Sequence, residues 1–175
     1  MNSTRQSDPV PLAAGREFHK IALAILYKDI KMTRRKSKKF AEKHGLHTKP
    51  DSLIQAKILK HAKNNELPCA VAFEIAKDLG IAADLVGMTA DLLNFRLIKC
   101  QLGLFGYYPK KKMITPHTQV DPDLKNAISE ALINEQLPCK SAWEIASRFN
   151  IRKMAVGGAC EALKVKIKPC QIGAF

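Results

Sequence analysis

The chain is short of acid and has no long apolar run. Among 175 residues, 16 Asp and Glu stand against 29 Lys and Arg, a formal charge of +13. A surplus of that size favours a polyanionic partner, nucleic acid ahead of an anionic membrane face. The plainer reading is solubility together with a disordered basic arm. Ile21–Leu26 is far too short to cross a bilayer, and the opening MNSTRQSDPVP holds no apolar stretch of signal-peptide length. Neither export nor a membrane partner is expected, and the setting reads as cytoplasmic. The five cysteines are odd in number and embedded in helix or strand patterns, which is not a secreted disulfide framework. Also missing are a nucleophile with its base, a phosphate-binding glycine loop and metal-hydrolase spacing. No catalytic residue is assigned, and an enzyme is the least supported class.

What is present is a duplication. Leu67–Phe105 returns without a gap as Leu137–Phe175, with identities that include Leu67/Leu137, Pro68/Pro138, Cys69/Cys139, Glu74/Glu144, Val86/Val156, Gly87/Gly157, Cys100/Cys170, Gln101/Gln171, Gly103/Gly173 and Phe105/Phe175. Upstream, Ile58/Ile128 and Asn64/Asn134 also agree. The unit is a small domain of roughly fifty to sixty residues, long for a solenoid repeat.

In chain order, Met1–Gly15 reads as a flexible tail. Phe18, Ile21, Ala22, Ile25, Leu26 and Ile30 fall on one helical stripe. Arg34, Arg35, Lys36, Lys38 and Lys39 form a basic face able to lie along phosphates, or merely a solvated one. His44 and His47 have helical spacing, but Gly45 between them argues against a metal site. Each repeat then reads as a first helix, a short extended Leu-Pro-Cys stretch, a pair of helices and a strand, Leu97–Leu102 in the first copy. The stretch between the repeats, with three prolines and Lys110, Lys111 and Lys112, is the expected linker region. The boundaries drawn are 1–49 for tail and basic extension, 50–112 for the first repeat, 113–120 for the linker and 121–175 for the second repeat.

Within each helix pair a small residue is followed by a turn residue and then an aliphatic one: Ala76, Gly80, Val86 and Ala146, Asn150, Val156. This pattern resembles the helix-turn-helix family of DNA-binding proteins. The small residue lets two helices cross closely, Gly or Asn takes the left-handed turn, and the aliphatic residue locks the second helix down. With a helix before the pair and a strand after it, each repeat resembles the winged form. The short strand would be Leu67–Cys69, and the first strand of the wing hairpin Ile98–Phe105. The expected fold is therefore mainly α: two tandem winged-helix-like repeats after a basic helical N-terminal extension. The second repeat stops too early for a full wing, and Gly87 and Gly157 inside the second helix of each pair point to close approach by a neighbouring element.

The resemblance implies nucleic-acid binding, with duplex DNA favoured, as a transcriptional regulator or nucleoid-type factor. Arg152 and Lys153 open the second helix of the second pair, with Lys164 and Lys166 beyond, so this repeat is expected to hold nucleic acid. The matching helix of the first repeat carries Asp84 and Asp91 and is expected to dock against protein, including a second copy of the chain. The alternative from another class is an adaptor or accessory subunit. Cys69, Cys100, Cys139 and Cys170 could pair within and across the repeats as a zinc or iron–sulfur site. Their spacing is not that of a usual metal motif, so packing is preferred and no cofactor is expected.

Overall fold

The computed structural model describes residues 40–45 and 47–175. The expected tail, the expected helical stripe through Ile30 and the expected basic face from Arg34 to Lys39 lie outside the described residues.

Each repeat is built by the same local signals. Helix α1 (Ser52–His61) starts because the Asp51 carboxylate accepts the backbone N–H groups of Leu53 and Ile54 at 2.9 and 3.0 Å. It buries Ile54 and Ile58, one turn apart. The chain reverses through Asn64 and Asn65, both left-handed at φ 52° and 57°, with Lys63 and Glu66 exchanging backbone hydrogen bonds. Asn tolerates that conformation, which accounts for its return as Asn134 at φ 49°. Strand β1 (Glu66–Pro68) leads straight into α2 (Cys69–Leu79). Gly80, at φ 64°, closes α2 and lets Ile81 N–H reach the Ala76 carbonyl at 3.0 Å. Helix α3 (Ala83–Leu92) crosses α2, and β2 (Arg96–Ile98) pairs with β1 in parallel, Leu67 opposite Leu97.

The second repeat repeats every step. Asp121 caps α4 (Pro122–Glu130), with Pro122 in the first turn where no N–H is missed. Then come β3 (Gln136–Leu137), α5 (Cys139–Arg148), a turn at Asn150 with φ 50°, α6 (Lys153–Ala162) and β4 (Lys166–Ile167). Ile151 N–H bonds the Ala146 carbonyl at 2.9 Å, and β3 pairs with β4 in parallel. The molecule is mainly helical. No helix among the described residues is long and apolar enough to cross a membrane.

After β2 and β4 the structure departs from a strand continuing toward Leu102. Lys99 takes φ 51° and ends the extended run at Ile98. Cys100–Phe105 then folds into a tight loop, with Gly103 N–H on the Cys100 carbonyl at 2.8 Å and Cys100 N–H on the Phe105 carbonyl at 3.2 Å. Cys170–Phe175 forms the same loop, at 3.0 and 3.2 Å. Neither loop supplies an antiparallel wing strand among the described residues.

The loops are exchanged. Leu102 and Cys100 belong to the core of the second repeat, with Ile128, Leu137, Ile145 and Val156, whereas Ile172 belongs to that of the first, with Ile58, Leu67, Ile75 and Val86. The two repeated helix glycines make room for this. A Cβ on Gly87 would fall on the Ile172 carbonyl, and one on Gly157 on the Leu102 carbonyl. Each repeat thus lends the other the loop that finishes its core, a pseudo-twofold arrangement within one chain.

Candidate functional site

Exposed cations occur on both repeats, Lys60, Lys63, Lys77, Arg96 and Lys99 among them on the first, but one close cluster of lysines stands at the end of the second. Lys164 sits at the left-handed turn after α6, φ 57°, Lys166 on β4 and Lys168 just beyond, all exposed. With Lys112 they line one groove of about 410 Å³, floored by Leu104, Val165 and Ile167. Its single acid among the described residues, Glu161, is paired with Lys112 at 2.6 Å. Lys110 and Lys111 are exposed in the connection. That connection is partly tied down, Met113 N–H to the Gly103 carbonyl at 2.9 Å and His117 N–H to the Gly158 carbonyl at 3.4 Å. Arg34, Arg35, Lys36, Lys38 and Lys39 lie outside the described residues.

Helix α6 does not present the face that its sequence offers. Arg152 is exposed at its N-cap, but Lys153 turns inward, its Nζ 2.7 Å from Gln101 Oε1 and 3.2 Å from the centre of the Trp143 ring. Burial pulls the Lys153 pKa down, partly opposed by the neighbouring Cys69 and Cys139. Val156, Gly157, Gly158, Ala159 and Cys160 are all buried. Leu102 covers the helix at Gly157, and Thr115 and His117 cover it at Gly158.

The equivalent groove of the first repeat has a different chemistry. It is about 250 Å³ and lined by Phe40, Phe95, Phe105, Tyr108 and Phe175, with Lys43, Arg96 and Asp91. Asp91 is buried and held by Lys43 at 3.4 Å and by His44 Nε2 at 3.1 Å, so His44 serves this carboxylate. Asp84 and Leu85 are exposed at the start of α3.

Between the repeats lies a seam of thiols. Cys69 and Cys139 are the first residues of α2 and α5, and Cys100 and Cys170 open the exchanged loops. All four line one cavity of about 10 Å³, room for about one water. Phe73 packs at a tilt of 41° on Trp143 with ring centres 4.4 Å apart, and Phe105 meets Phe175 edge-on at 5.6 Å. Gln171 Nε2 lies 3.4 Å from the Cys139 sulfur. Neighbouring backbone N–H groups counter the effect of burial on the thiols, those of Leu102, Gly103 and Leu104 at Cys100, those of Ile172, Gly173 and Ala174 at Cys170, and those of Gln101 and Gln171 at Cys69 and Cys139. Burial pushes Cys69 up to about 11 and raises Cys100. Cys139 donates to Cys170, which raises the donor and lowers the acceptor. As the side chains stand, no three His, Cys, Asp or Glu among the described residues are grouped to share one ion. Cys160 lies apart in the second core, raised by burial to about 12.

Sequence reasoning missed Gln101 and Gln171 as thiol partners, although their identity in both copies was a signal. It also missed that the repeat begins a few residues earlier, at His47-Thr48, which return as His117-Thr118. Comparison with known protein families, curated proteins and solved structures finds nothing that matches the chain.

Proposed function

We propose that the chain is a cytoplasmic nucleic-acid-binding protein, not an enzyme, that holds duplex DNA through the lysine groove of its second repeat in a regulatory or nucleoid-type role. The observation that carries the reading is the convergence of Lys112, Lys164, Lys166 and Lys168 on one groove whose only acid among the described residues is paired with Lys112. Lysines on a strand and its flanking turns suit phosphate contacts, which position a protein without reading sequence. The winged-helix reading belongs to this proposal too, with α2–α3 and α5–α6 as the helix pairs and the exchanged loops in the place of wings. Arg152, exposed at the α6 N-terminus, is the side chain best placed to add a base contact.

The test is binding to a short duplex followed by fluorescence anisotropy across a salt series. Each phosphate contact contributes about 0.9 to the slope of log affinity against log salt. The variant Lys164→Gln/Lys166→Gln/Lys168→Gln should flatten that slope by about 2.7. An unchanged slope removes the groove from the interface.

A second reading, an adaptor that docks protein through its first repeat, is favoured by one observation. Leu53 and Leu59 are 69% and 57% exposed on α1, while the second repeat places Asp123 and Ser129 at those positions.

A further inference from the structure

We propose that Cys69, Cys100, Cys139 and Cys170 form a four-thiolate centre for a single thiophilic divalent ion, zinc or iron(II), at the seam where the repeats exchange their loops. A cysteine that only fills space is a small apolar side chain and asks for no hydrogen bonds. These four are treated otherwise. Two stand at helix N-termini, where the helix dipole favours a negative sulfur. The other two open tight loops, each with a glycine N–H on the cysteine's own carbonyl, and the neighbouring backbone N–H groups hold the sulfur's pKa down against burial. A nest of that kind is an anion-binding device, and hydrogen bonds to sulfur are what tune thiolate-held metals. Both features occur in both repeats, and the loop exchange brings all four cysteines to the lining of one cavity.

Charge supports the same conclusion. Four thiolates around a divalent ion leave a net charge of about −2. Lys153 supplies a cation there: it is drawn away from solvent, over Trp143 and beside Cys69 and Cys139. Trp143 lines the same cavity, and its indole N–H is buried with no acceptor among the described residues. Such a donor is stabilised by an added anion nearby. Capture displaces the protons still held: one divalent ion, three thiols and the Cys170 thiolate give the dianionic tetrathiolate centre and three protons. The sulfurs are not yet grouped around one point, so capture draws them inward.

The full chain, purified under reducing, oxygen-free conditions, should carry about one zinc or iron per molecule and no acid-labile sulfide. After chelation, cobalt(II) should bind at about one per chain, with the strong d–d and sulfur-to-cobalt absorption of tetrahedral thiolate ligation. Cys100→Ser and Cys170→Ser should abolish that spectrum, whereas Cys160→Ser should keep it. Lys153→Gln removes the counter-charge without touching a ligand, and it should weaken cobalt binding by about 10- to 100-fold. This variant keeps the test open if a cysteine variant fails to fold. A metal-free preparation with a flat cobalt titration and native far-UV dichroism would overturn the proposal. So would cobalt bound equally by the Cys100→Ser/Cys170→Ser chain. Acid-labile sulfide would overturn the single-ion form. None of these readouts depends on DNA, so failure here and failure of the groove are told apart.

Discussion

Where the first repeat shows Leu53, Leu59 and Asp84 to solvent, the second has Asp123, Ser129 and Met154 at the matching positions. Beneath that difference the cores agree closely: Ile58 with Ile128, Leu67 with Leu137, Ile75 with Ile145, Val86 with Val156, every one buried. The residues that make the fold and the exchange possible stayed the same, namely the asparagine turns, the helix glycines and the four cysteines. The residues that face outward diverged, most clearly in the two grooves. The first groove is aromatic, with its acid buried under Lys43 and His44; the second is a row of lysines. One interior thus carries two surfaces, and the tasks of the repeats are to be sought where they disagree.

The comparison breaks most completely at the glycines. Gly87→Ala and Gly157→Ala each place a methyl group on a backbone carbonyl of the other repeat, where no side chain can move aside. Each should cost about 3 kcal/mol, the upper end of overpacking penalties, read as a shift in denaturant midpoint at unchanged slope. Because the contacts are reciprocal, the two losses should be alike. A large loss in one with none in the other would mean that only one loop is truly exchanged.

A smaller effect sharpens the contrast between the surfaces. Arg152→Ala should weaken duplex binding by about 1–3 kcal/mol if Arg152 contacts a base edge. Asp84→Ala, two positions beyond the equivalent Ala82, should leave binding unchanged or slightly stronger. Lys153, paired with Arg152 in the sequence reading, is expected to matter to the thiol seam and not to DNA. The reverse ranking of Arg152 and Asp84 would move the interface to the first repeat.

These cases also show which features were legible. Capping by Asp51 and Asp121, the Gly80 and Asn150 turns and the duplication are local signals, and each has a structural counterpart. The sequence also implied that something approaches Gly87 and Gly157 closely. It could not say that the approaching backbone belongs to the other repeat, because periodicity within a segment carries no information about which distant segment covers it. The strand expected to reach Leu102 stops at Ile98 for a related reason. Ile98, Cys100 and Leu102 are all buried, which mimics strand alternation, but Lys99 is left-handed, and a lysine gives no warning of that. Lys153 was read as a presented cation since charge is visible in a sequence and its direction is not.

Within the seam the two repeats differ in how their thiols titrate, and alkylation reads the difference. In metal-free protein the Cys139 thiol donates to Cys170, so Cys170 is the thiolate that persists to lower pH. Cys69, raised by burial to about 11, stays protonated well above neutrality. Iodoacetamide at pH 7 should therefore label Cys170 first and Cys69 hardly at all, as read by peptide mass spectrometry. Raising the pH toward 11 should narrow the gap. Equal labelling of the two at pH 7 would show that the hydrogen bond between Cys139 and Cys170 does not bias the pair.

The smallest expected effect falls on α1, and it separates fold from docking. Leu53 and Leu59 are exposed, and the second repeat builds the same helix with Asp123 and Ser129 in their places. The exchange Leu53→Asp/Leu59→Ser therefore gives the first repeat the surface of the second. It also puts an acid in the first turn of α1, where the helix dipole favours it. Stability should change by no more than about 0.5 kcal/mol, the usual range for exposed positions, and the salt slope of duplex binding should stay as it was. Self-association or capture of a protein partner should fall if this face docks protein, measured by sedimentation or by pull-down with the wild-type chain as reference. A midpoint lowered by several kcal/mol would instead mean that the two leucines are covered by part of this chain. That outcome would reduce the difference between the repeats to packing, and it would remove the observation on which the adaptor reading rests.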